Sequence, residues 1–160
     1  MSYSIVVDIS KQTLSVFTLQ KHLVKQYLIA TAKNGPGEKS GSECTPRGKH
    51  LIRAKIGDKQ PINTVFIGRR PTGEIFTPAL KKQHLNRDWI LTRILWLSGT
   101  EKGKNRLGNI DTMRRYVYIH GCPDDDKMGI PSSHGCIKMR NTEVIELFNL
   151  VPIQTTVEIF

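Results

Sequence analysis

The sequence is most informative where it reads Tyr-Ile-His-Gly-Cys at residues 118–122 and Ser-Ser-His-Gly-Cys-Ile-Lys at residues 132–138. The first segment is a short apolar run that ends in a histidine and a glycine, a pattern typical of a strand and the turn that follows it. Three aspartates at 124–126 mark an acidic loop between the two segments. A helix is predicted to begin at Asn141, so the second segment forms a turn shortly before a helix.

Cys136 has surroundings that suit a nucleophilic thiol. Gly135 lets the backbone approach a substrate closely and adopt dihedral angles that other residues avoid. The amides of the predicted helix favour nearby negative charge, so we expect the pKa of the Cys136 thiol to be depressed. Successive backbone N–H groups in the turn can converge on a developing oxyanion. A thiol in this position is placed to attack a carbonyl carbon.

A nucleophilic thiol also needs a base within hydrogen-bonding reach. His120 ends a predicted strand sixteen positions upstream (136 − 120 = 16), and His134 lies two positions upstream. We expect the tight turn to direct His134 elsewhere, which favours His120 as the base. The residue types alone leave another interpretation open, because most lone cysteines are small buried apolar residues and a Cys/His pair arises by chance in many chains.

Alternating apolar residues predict a mostly-β fold with few short helices. Ile5 and Val7 share one face, which predicts a strand hairpin over residues 4–19 with its turn at 10–12. The remaining assignments are strands at 23–30, 50–56, 65–68, 89–97, 116–119 and 155–160, loops at 34–48 and 99–111, and one helix at 141–150. Asn141 is the predicted N-cap of that helix, and residues 71–86 stay unassigned.

The length and the charge of the chain limit the classes of protein to which it can belong. The 160 residues predict a single domain spanning 1–160, and no apolar run is long enough to cross a membrane. Lysine and arginine outnumber the acids 24 to 14, which indicates an anionic partner. The basic residues are scattered in short pairs such as Arg69-Arg70 and Arg114-Arg115, without interleaved aromatic residues, so nucleic acid is not the expected partner.

The cysteines and the N-terminus indicate a reducing compartment. Cys44, Cys122 and Cys136 form no CxxC pair, so neither a disulfide framework nor a zinc site is expected. Residues 1–8 lack the basic and apolar regions of a signal peptide, which predicts a cytoplasmic protein. A leader lost from the natural chain would instead make it periplasmic.

His120-Gly121, followed by Ser-His-Gly-Cys-Ile-Lys-Met at residues 133–139, resembles the catalytic motif of the YkuD-type L,D-transpeptidases. Thr-Pro-Arg-Gly-Lys-His at 45–50 resembles the family's Thr-Pro-x-Gly-x-(aromatic or His) pattern at the start of a strand. Residues 5–16 resemble its first hairpin, so the resemblance covers nearly the whole chain. It implies a mostly-β, sandwich-like catalytic domain around a cleft, with no metal and no organic cofactor.

The same resemblance assigns roles to five residues. Cys136 is the implied nucleophile and His120 the implied general base. The backbone carbonyl of Gly121 is implied to orient the imidazole, in place of the acid of a catalytic triad. The backbone amides of His134, Gly135 and Cys136 are implied to form the oxyanion hole.

Two positions depart from the family pattern. Lys138 stands where the family usually has arginine, which keeps the charge but loses the bidentate fork. Cys122 stands where threonine or serine is common, and we interpret it as a structural thiol because no glycine turn and helix follow it. Cys44 has no histidine nearby in the sequence and receives no role.

Peptidoglycan stem peptides are the substrates that the resemblance implies. The attacked bond joins the L-centre of a diamino acid to a terminal D-alanine, and transfer to Cys136 leaves a thioester. Carbapenems are expected covalent inhibitors, because their strained lactam carbonyl replaces the scissile amide. The candidate substrate-binding residues are Lys138, Arg140, Arg114, Arg93 and Ser133.

The thioester has two fates. Water gives an L,D-carboxypeptidase that trims tetrapeptides during muropeptide recycling, and an amine from a second stem gives a periplasmic transpeptidase that forms crosslinks. We expect hydrolysis, because a chain without a leader meets soluble peptides. We also expect the loop at 99–111, with Lys102, Lys104 and Arg106, to wall off the acceptor side of the cleft.

A non-catalytic basic binding module is the alternative from another class of protein. The presence of both His120 and Cys136 argues against it, since a module without activity has no need of the pair.

Overall fold

The computed structural model describes residues 2–160 and, within them, ten strands and two α-helices. The strands are β1 (Tyr3–Asp8), β2 (Thr13–Thr18), β3 (Leu23–Leu28), β4 (Gly48–Ile56), β5 (Thr64–Ile67), β6 (Arg70–Ile75), β7 (Ile90–Gly99), β8 (Tyr118–Gly121), β9 (Ile137–Met139) and β10 (Thr156–Ile159). The helices are α1 (Pro78–Gln83) and α2 (Asn141–Leu150). The mostly-β prediction is confirmed.

All ten strands join into one mixed sheet. Eight of them follow the order β3-β2-β1-β10-β4-β7-β5-β6, and β8 and β9 lie off this path. The central strand β7 pairs with β4 and β5 along one edge and with β8 along the other. Strand β9 extends the sheet by pairing in parallel with β8. The pair β8–β9 therefore branches from the sheet at β7, with His120 and Gly121 at the end of β8 and Cys136 directly before β9.

The N-terminal hairpin forms as the alternation predicts. Ile5 and Val7 are buried, and they pair with Val16 and Leu14 across the β1–β2 ladder. Gln12 closes the turn with a left-handed backbone (φ 52°), and its buried side chain donates to the backbone oxygen of Ile9. The largest group of buried apolar side chains lies where this part of the sheet, β7 and β8 meet α2.

The predicted N-cap of α2 is wrong by one position. Arg140 is the N-cap and makes no side-chain capping hydrogen bond, whereas Asn141 is the first helical residue and is buried. Its amide oxygen accepts from Thr92 Oγ1 (2.6 Å), and its Nδ2 donates to the backbone oxygen of Cys122 (2.8 Å). A Cβ at Gly121 would collide with the Asn141 amide. The glycine therefore leaves the space that the buried Asn141 side chain occupies.

Three further elements differ from the sequence assignments. Residues 71–86, left unassigned, contain most of β6 and all of α1, whose N-cap Thr77 accepts from the Leu80 amide (3.1 Å). Strand β9 has only three residues and was missed. Tyr116, expected in a strand, adopts a left-handed turn conformation (φ 57°), and β8 begins at Tyr118.

We predict that Asn141→Ala lowers the free energy of unfolding by about 2–4 kcal/mol, because it removes the acceptor of the buried Thr92 hydroxyl proton and the donor to the Cys122 carbonyl. Asn149→Ala, on the exposed side of the same helix, should change it by less than about 0.5 kcal/mol. Urea unfolding followed by circular dichroism measures both. Equal losses in the two variants would contradict the role given to Asn141.

Candidate active site

His120 and Cys136 line the same cavity, which has a volume of about 490 Å³. Its walls come from β8, from the turn before β9, from the turn between β5 and β6, and from residues 115–116. A larger cavity of about 590 Å³ lies on the outer face of β1, β2, β10 and β4 and contains neither residue. The motif residues therefore lie in the smaller of these two cavities.

Parallel pairing of β8 with β9 brings the two motif segments together. Ile119 lies opposite Ile137, so Cys136 lies beside Tyr118 and His120 lies beside Lys138. Successive side chains of a strand point to opposite faces, which places positions 118 and 120 on one face together with 136 and 138. All four line the cavity.

His120 is held in one tautomer by its own neighbour. The ring is buried, and Nδ1 lies 2.6 Å from the backbone oxygen of Gly121. Because a carbonyl oxygen only accepts, Nδ1 carries the proton, and Nε2 is the ring nitrogen left for the cavity. Burial lowers the pKa of His120, so the imidazole is neutral near pH 7 with a free lone pair at Nε2.

The Cys136 thiol is half-buried and neutral. Its Sγ accepts from the backbone N–H of Tyr118 (3.3 Å) and directs its proton to the backbone oxygen of Tyr116 (3.5 Å). Burial raises the pKa of Cys136 to about 12, so the expected depression is wrong. The reason is that β9 separates Cys136 from α2, and the helix amides do not reach the sulfur.

The turn before Cys136 is fixed by packing and by two hydroxyl groups. Gly135 has φ +127°, and a Cβ there would lie 3.2 Å from the backbone oxygen of Cys44. Thr45 Oγ1 donates to the Gly135 oxygen (3.0 Å), and Ser133 Oγ donates to the Cys136 oxygen. The Thr-Pro segment noted in the sequence thus supports the turn that precedes Cys136.

Two of the three amides assigned to the oxyanion hole have N–H groups that are free to bind an oxyanion. The Gly135 N–H donates to Ser133 Oγ (3.2 Å), which corrects the expectation for that amide. The N–H groups of His134 and Cys136 have no acceptor within residues 2–160. Ser133, predicted to bind substrate, lines the cavity but uses its hydroxyl inside the turn.

The competing residues are placed elsewhere. His134 is exposed, and its Nδ1 lies 3.9 Å from Asp88 Oδ1 at the edge of the cavity. Cys122 is buried outside the cavity, where its Sγ donates to the Met139 oxygen (3.3 Å) and burial raises its pKa to about 12. Cys44 lies in the loop behind Gly135 and does not line the cavity.

Only one of the four cationic candidates lines the cavity. Lys138 does so, with Nζ 2.9 Å from Asp126 Oδ2. Arg140 and Arg114 are exposed away from it, and Arg93 is buried where it donates to the backbone oxygens of residues 60 and 92. These three residues do not line this cavity.

Sequence reasoning missed two arginines that do line the cavity, Arg69 and Arg115. They belong to the basic pairs Arg69-Arg70 and Arg114-Arg115. The sequence of such a pair does not show which of its two side chains lines a cavity. Arg115 donates to the backbone oxygens of Cys44 (2.6 Å) and Glu38 (3.2 Å), and burial lowers its pKa. It thereby holds the loop behind Gly135 against the site.

The loop at 99–111 does not form a wall of this cavity. Asn105 is buried and its Nδ2 donates to the backbone oxygens of Arg47 (3.1 Å) and Lys49 (3.0 Å), while Glu101 Oε2 accepts from the Lys49 amide. These bonds fasten the loop to the start of β4. None of its residues, including Lys102, Lys104 and Arg106, lines the Cys136 cavity.

Within residues 2–160, no three His, Cys, Asp or Glu side chains converge as a metal site. Neither helix in that range is long and apolar enough to cross a bilayer.

The sequence matches the YkuD family, the L,D-transpeptidase catalytic domain, over residues 2–159. The chain therefore belongs to the L,D-transpeptidase catalytic domain family. No curated protein sequence matches it.

Solved structures share the fold at low identity. They include an L,D-transpeptidase from Mycobacterium smegmatis (TM-score 0.58, 18% identity), a mutant of the Enterococcus faecium L,D-transpeptidase (0.60, 17%) and Mycobacterium tuberculosis L,D-transpeptidase 3 in complex with a faropenem-derived adduct (0.58, 15%). The alignments cover 99%, 100% and 99% of this chain, but 58%, 50% and 60% of those chains. The chain thus spans half to three-fifths of the length of these neighbours.

We predict that alkylation of Cys136 by iodoacetamide keeps accelerating as the pH rises beyond 9. A pKa raised to about 12 means that the reactive thiolate is a minor form below that pH and increases with each step upward. Peptide mass spectrometry measures the rate at this cysteine. In the urea-unfolded chain the rate should level off near the ordinary thiol pKa of about 8.5. A plateau below pH 8 in the folded protein would contradict the neutral thiol.

Proposed function

We propose that this chain is a cysteine acyltransferase that acts on peptidoglycan stem peptides at the bond between the L-centre of the diamino acid and D-alanine. The observation that carries the proposal is the shared cavity of Cys136 and His120, with Nδ1 of the imidazole fixed on the Gly121 oxygen. A neutral base with a defined free nitrogen beside a thiol is the arrangement that nucleophilic catalysis needs. Family membership supports the same chemistry.

The reaction begins when the thiol rotates from the Tyr116 oxygen to His120 Nε2. Sγ bonds to the carbonyl carbon as its proton passes to Nε2, and the carbonyl oxygen becomes an oxyanion near the amides of His134 and Cys136. The imidazolium is stabilised by the Gly121 oxygen. It then gives its proton to the amide nitrogen, the C–N bond breaks, and D-alanine leaves with a thioester remaining on the enzyme.

Hydrolysis is the proposed fate of the thioester. The Cys136 side chain is partly exposed in an open cavity, so water has access to the thioester carbonyl. His120 Nε2 takes a proton from the water as its oxygen adds to the thioester carbonyl. As the C–S bond breaks, the imidazolium returns that proton to the sulfur, which releases the tripeptide acid and restores the thiol. The proposed activity is therefore that of an L,D-carboxypeptidase acting on soluble tetrapeptides.

Crosslinking is the second candidate, and one observation favours it. A depression of about 370 Å³ adjoins the thiol cavity and shares Asp88, His134 and Lys138 with it. Lys81 and Arg87 also line this depression, so it presents cations and a carboxylate to an incoming zwitterion. A second stem seated there would deliver its amine to the thioester in place of water.

Incubation with a purified tetrapeptide muropeptide tests both outcomes. We expect tripeptide and free D-alanine as the main products by mass spectrometry, and a crosslinked dimer as the main product would replace hydrolysis with transpeptidation. Cys136→Ala should give no product, because no other side chain of the cavity forms the acyl-enzyme. His120→Ala should lower the rate by a factor on the order of 10²–10⁴.

Cys122→Ala serves as the matched control for the nucleophile, because this thiol is buried outside the cavity. It should retain most of the activity. Turnover that survives in Cys136→Ala and disappears in Cys122→Ala would reverse the assignment.

We also predict that a carbapenem forms a single covalent adduct on Cys136. Structural neighbours carry imipenem and a faropenem-derived adduct, and one is an avibactam carbamoyl enzyme. The lactam carbonyl would occupy the position of the scissile amide, with the same oxyanion hole. Intact-protein mass spectrometry should show the adduct in the wild type and in Cys122→Ala but not in Cys136→Ala. An adduct on Cys44 alone would count against the site.

A further inference from the structure

Arg69 projects into the thiol cavity from a turn with an unusual backbone. Ile67 pairs with Arg70 across the β5–β6 hairpin, which leaves Gly68 and Arg69 as a two-residue turn. Both have left-handed backbones, with φ 56° and 63°. Such turns favour glycine or asparagine at these positions, and an arginine here places a long cationic side chain over the sheet.

Two aromatic rings contact the Arg69 guanidinium. Its Cζ lies 4.8 Å from the ring centroid of Trp96 and 4.8 Å from that of Tyr116. Nη1 donates to the hydroxyl of Tyr118 (3.0 Å). These contacts hold the guanidinium and use one of its five N–H donors, which leaves donors for a planar anion such as a carboxylate.

The positive charge of Arg69 is not neutralised by the protein. No carboxylate within residues 2–160 forms an ion pair with it. The other cations of the cavity are engaged, since Lys138 binds Asp126 and Arg115 donates to backbone oxygens. Asp88 faces His134 at the boundary with the adjoining depression. Among the described residues, Arg69 is therefore the cavity cation whose side chain contacts neither a carboxylate nor a backbone oxygen.

Tyr118 connects this guanidinium to the reacting sulfur. Its backbone N–H contacts Cys136 Sγ (3.3 Å), and its hydroxyl accepts from Arg69. In the scissile dipeptide, the α-carboxylate of D-alanine is separated from the attacked carbonyl carbon only by the amide nitrogen and one Cα. A peptide with its carbonyl at Cys136 must therefore place that carboxylate within the same cavity.

We propose that Arg69 binds the α-carboxylate of the departing D-alanine and so selects peptides that end one residue after the attacked carbonyl. This inference rests on the proposed function, whose bond it specifies. Because the carboxylate is charged in both the ground state and the transition state, Arg69 acts on KM more than on kcat.

The test compares Arg69→Gln with Arg70→Gln, its exposed neighbour at the start of β6, which removes the same charge outside the cavity. Each enzyme is given the tetrapeptide and the same peptide capped as a C-terminal amide. For the tetrapeptide, Arg69→Gln should lower kcat/KM by about 10–100-fold, the worth of a charge-assisted hydrogen bond. For the capped peptide, Arg69→Gln should change kcat/KM little. Arg70→Gln should have the kcat/KM of the wild type on both the free and the capped peptide.

Arg69→Lys adds a second measure, because lysine keeps the charge but lacks the fork and should recover only part of the loss. An equal loss on the free and capped peptides in Arg69→Gln would show a structural role and overturn the proposal. So would equal losses in Arg69→Gln and Arg70→Gln, since the effect would then be one of net charge.

Binding to the inactive Cys136→Ala protein separates this inference from the proposed reaction. Calorimetry should show tighter binding of the tetrapeptide than of the capped peptide, and the difference should vanish when Arg69→Gln is added. That result without turnover in the wild type would retain Arg69 as a carboxylate site and reject the proposed reaction. Turnover in the wild type with no such difference would reject the role of Arg69 alone.

Discussion

The parallel register of β8 and β9 is the constraint on which the site depends. Ile119 opposite Ile137 sets Cys136 beside Tyr118 and lets His120 reach the same cavity, although sixteen positions separate the two residues (136 − 120 = 16). Strand β9 is only three residues long, so this register needs outside support. Ala30 supplies it through two backbone hydrogen bonds to Lys138, and β7 supplies it by holding the other edge of β8.

Gly121 links the catalytic geometry to the core. Its carbonyl oxygen accepts from His120 Nδ1, and the absence of a side chain lets the Asn141 amide pack against it. Asn141 in turn joins the first turn of α2 to Thr92 on β7 and to the chain after β8. The imidazole's orientation therefore depends on a buried polar network, and such networks stabilise only when every member is satisfied.

The parts of the molecule that the sequence predicts are those set by local pattern. Alternation at Ile5 and Val7 identifies the first hairpin, and the His-Gly and Ser-His-Gly-Cys segments identify the residues of the site. Long-range contacts set the rest. Burial raises the pKa of Cys136, and β9 separates the sulfur from the helix amides that would lower it. Which arginine of a pair faces the cavity follows from turn geometry, as at Arg69, that no local pattern reveals.

A neutral thiol beside a neutral imidazole also explains how the cavity combines burial with reactivity. A resting thiolate–imidazolium pair in a half-buried site would carry the desolvation cost of two ions before any substrate arrived. In the neutral arrangement the proton stays on the sulfur, directed at the Tyr116 oxygen, and charge develops only as Sγ bonds to carbon. The imidazolium and the oxyanion then appear together, one beside the Gly121 oxygen and the other beside the free amides of the turn. In the proposed reaction, peptide binding activates the nucleophile by turning the thiol toward Nε2.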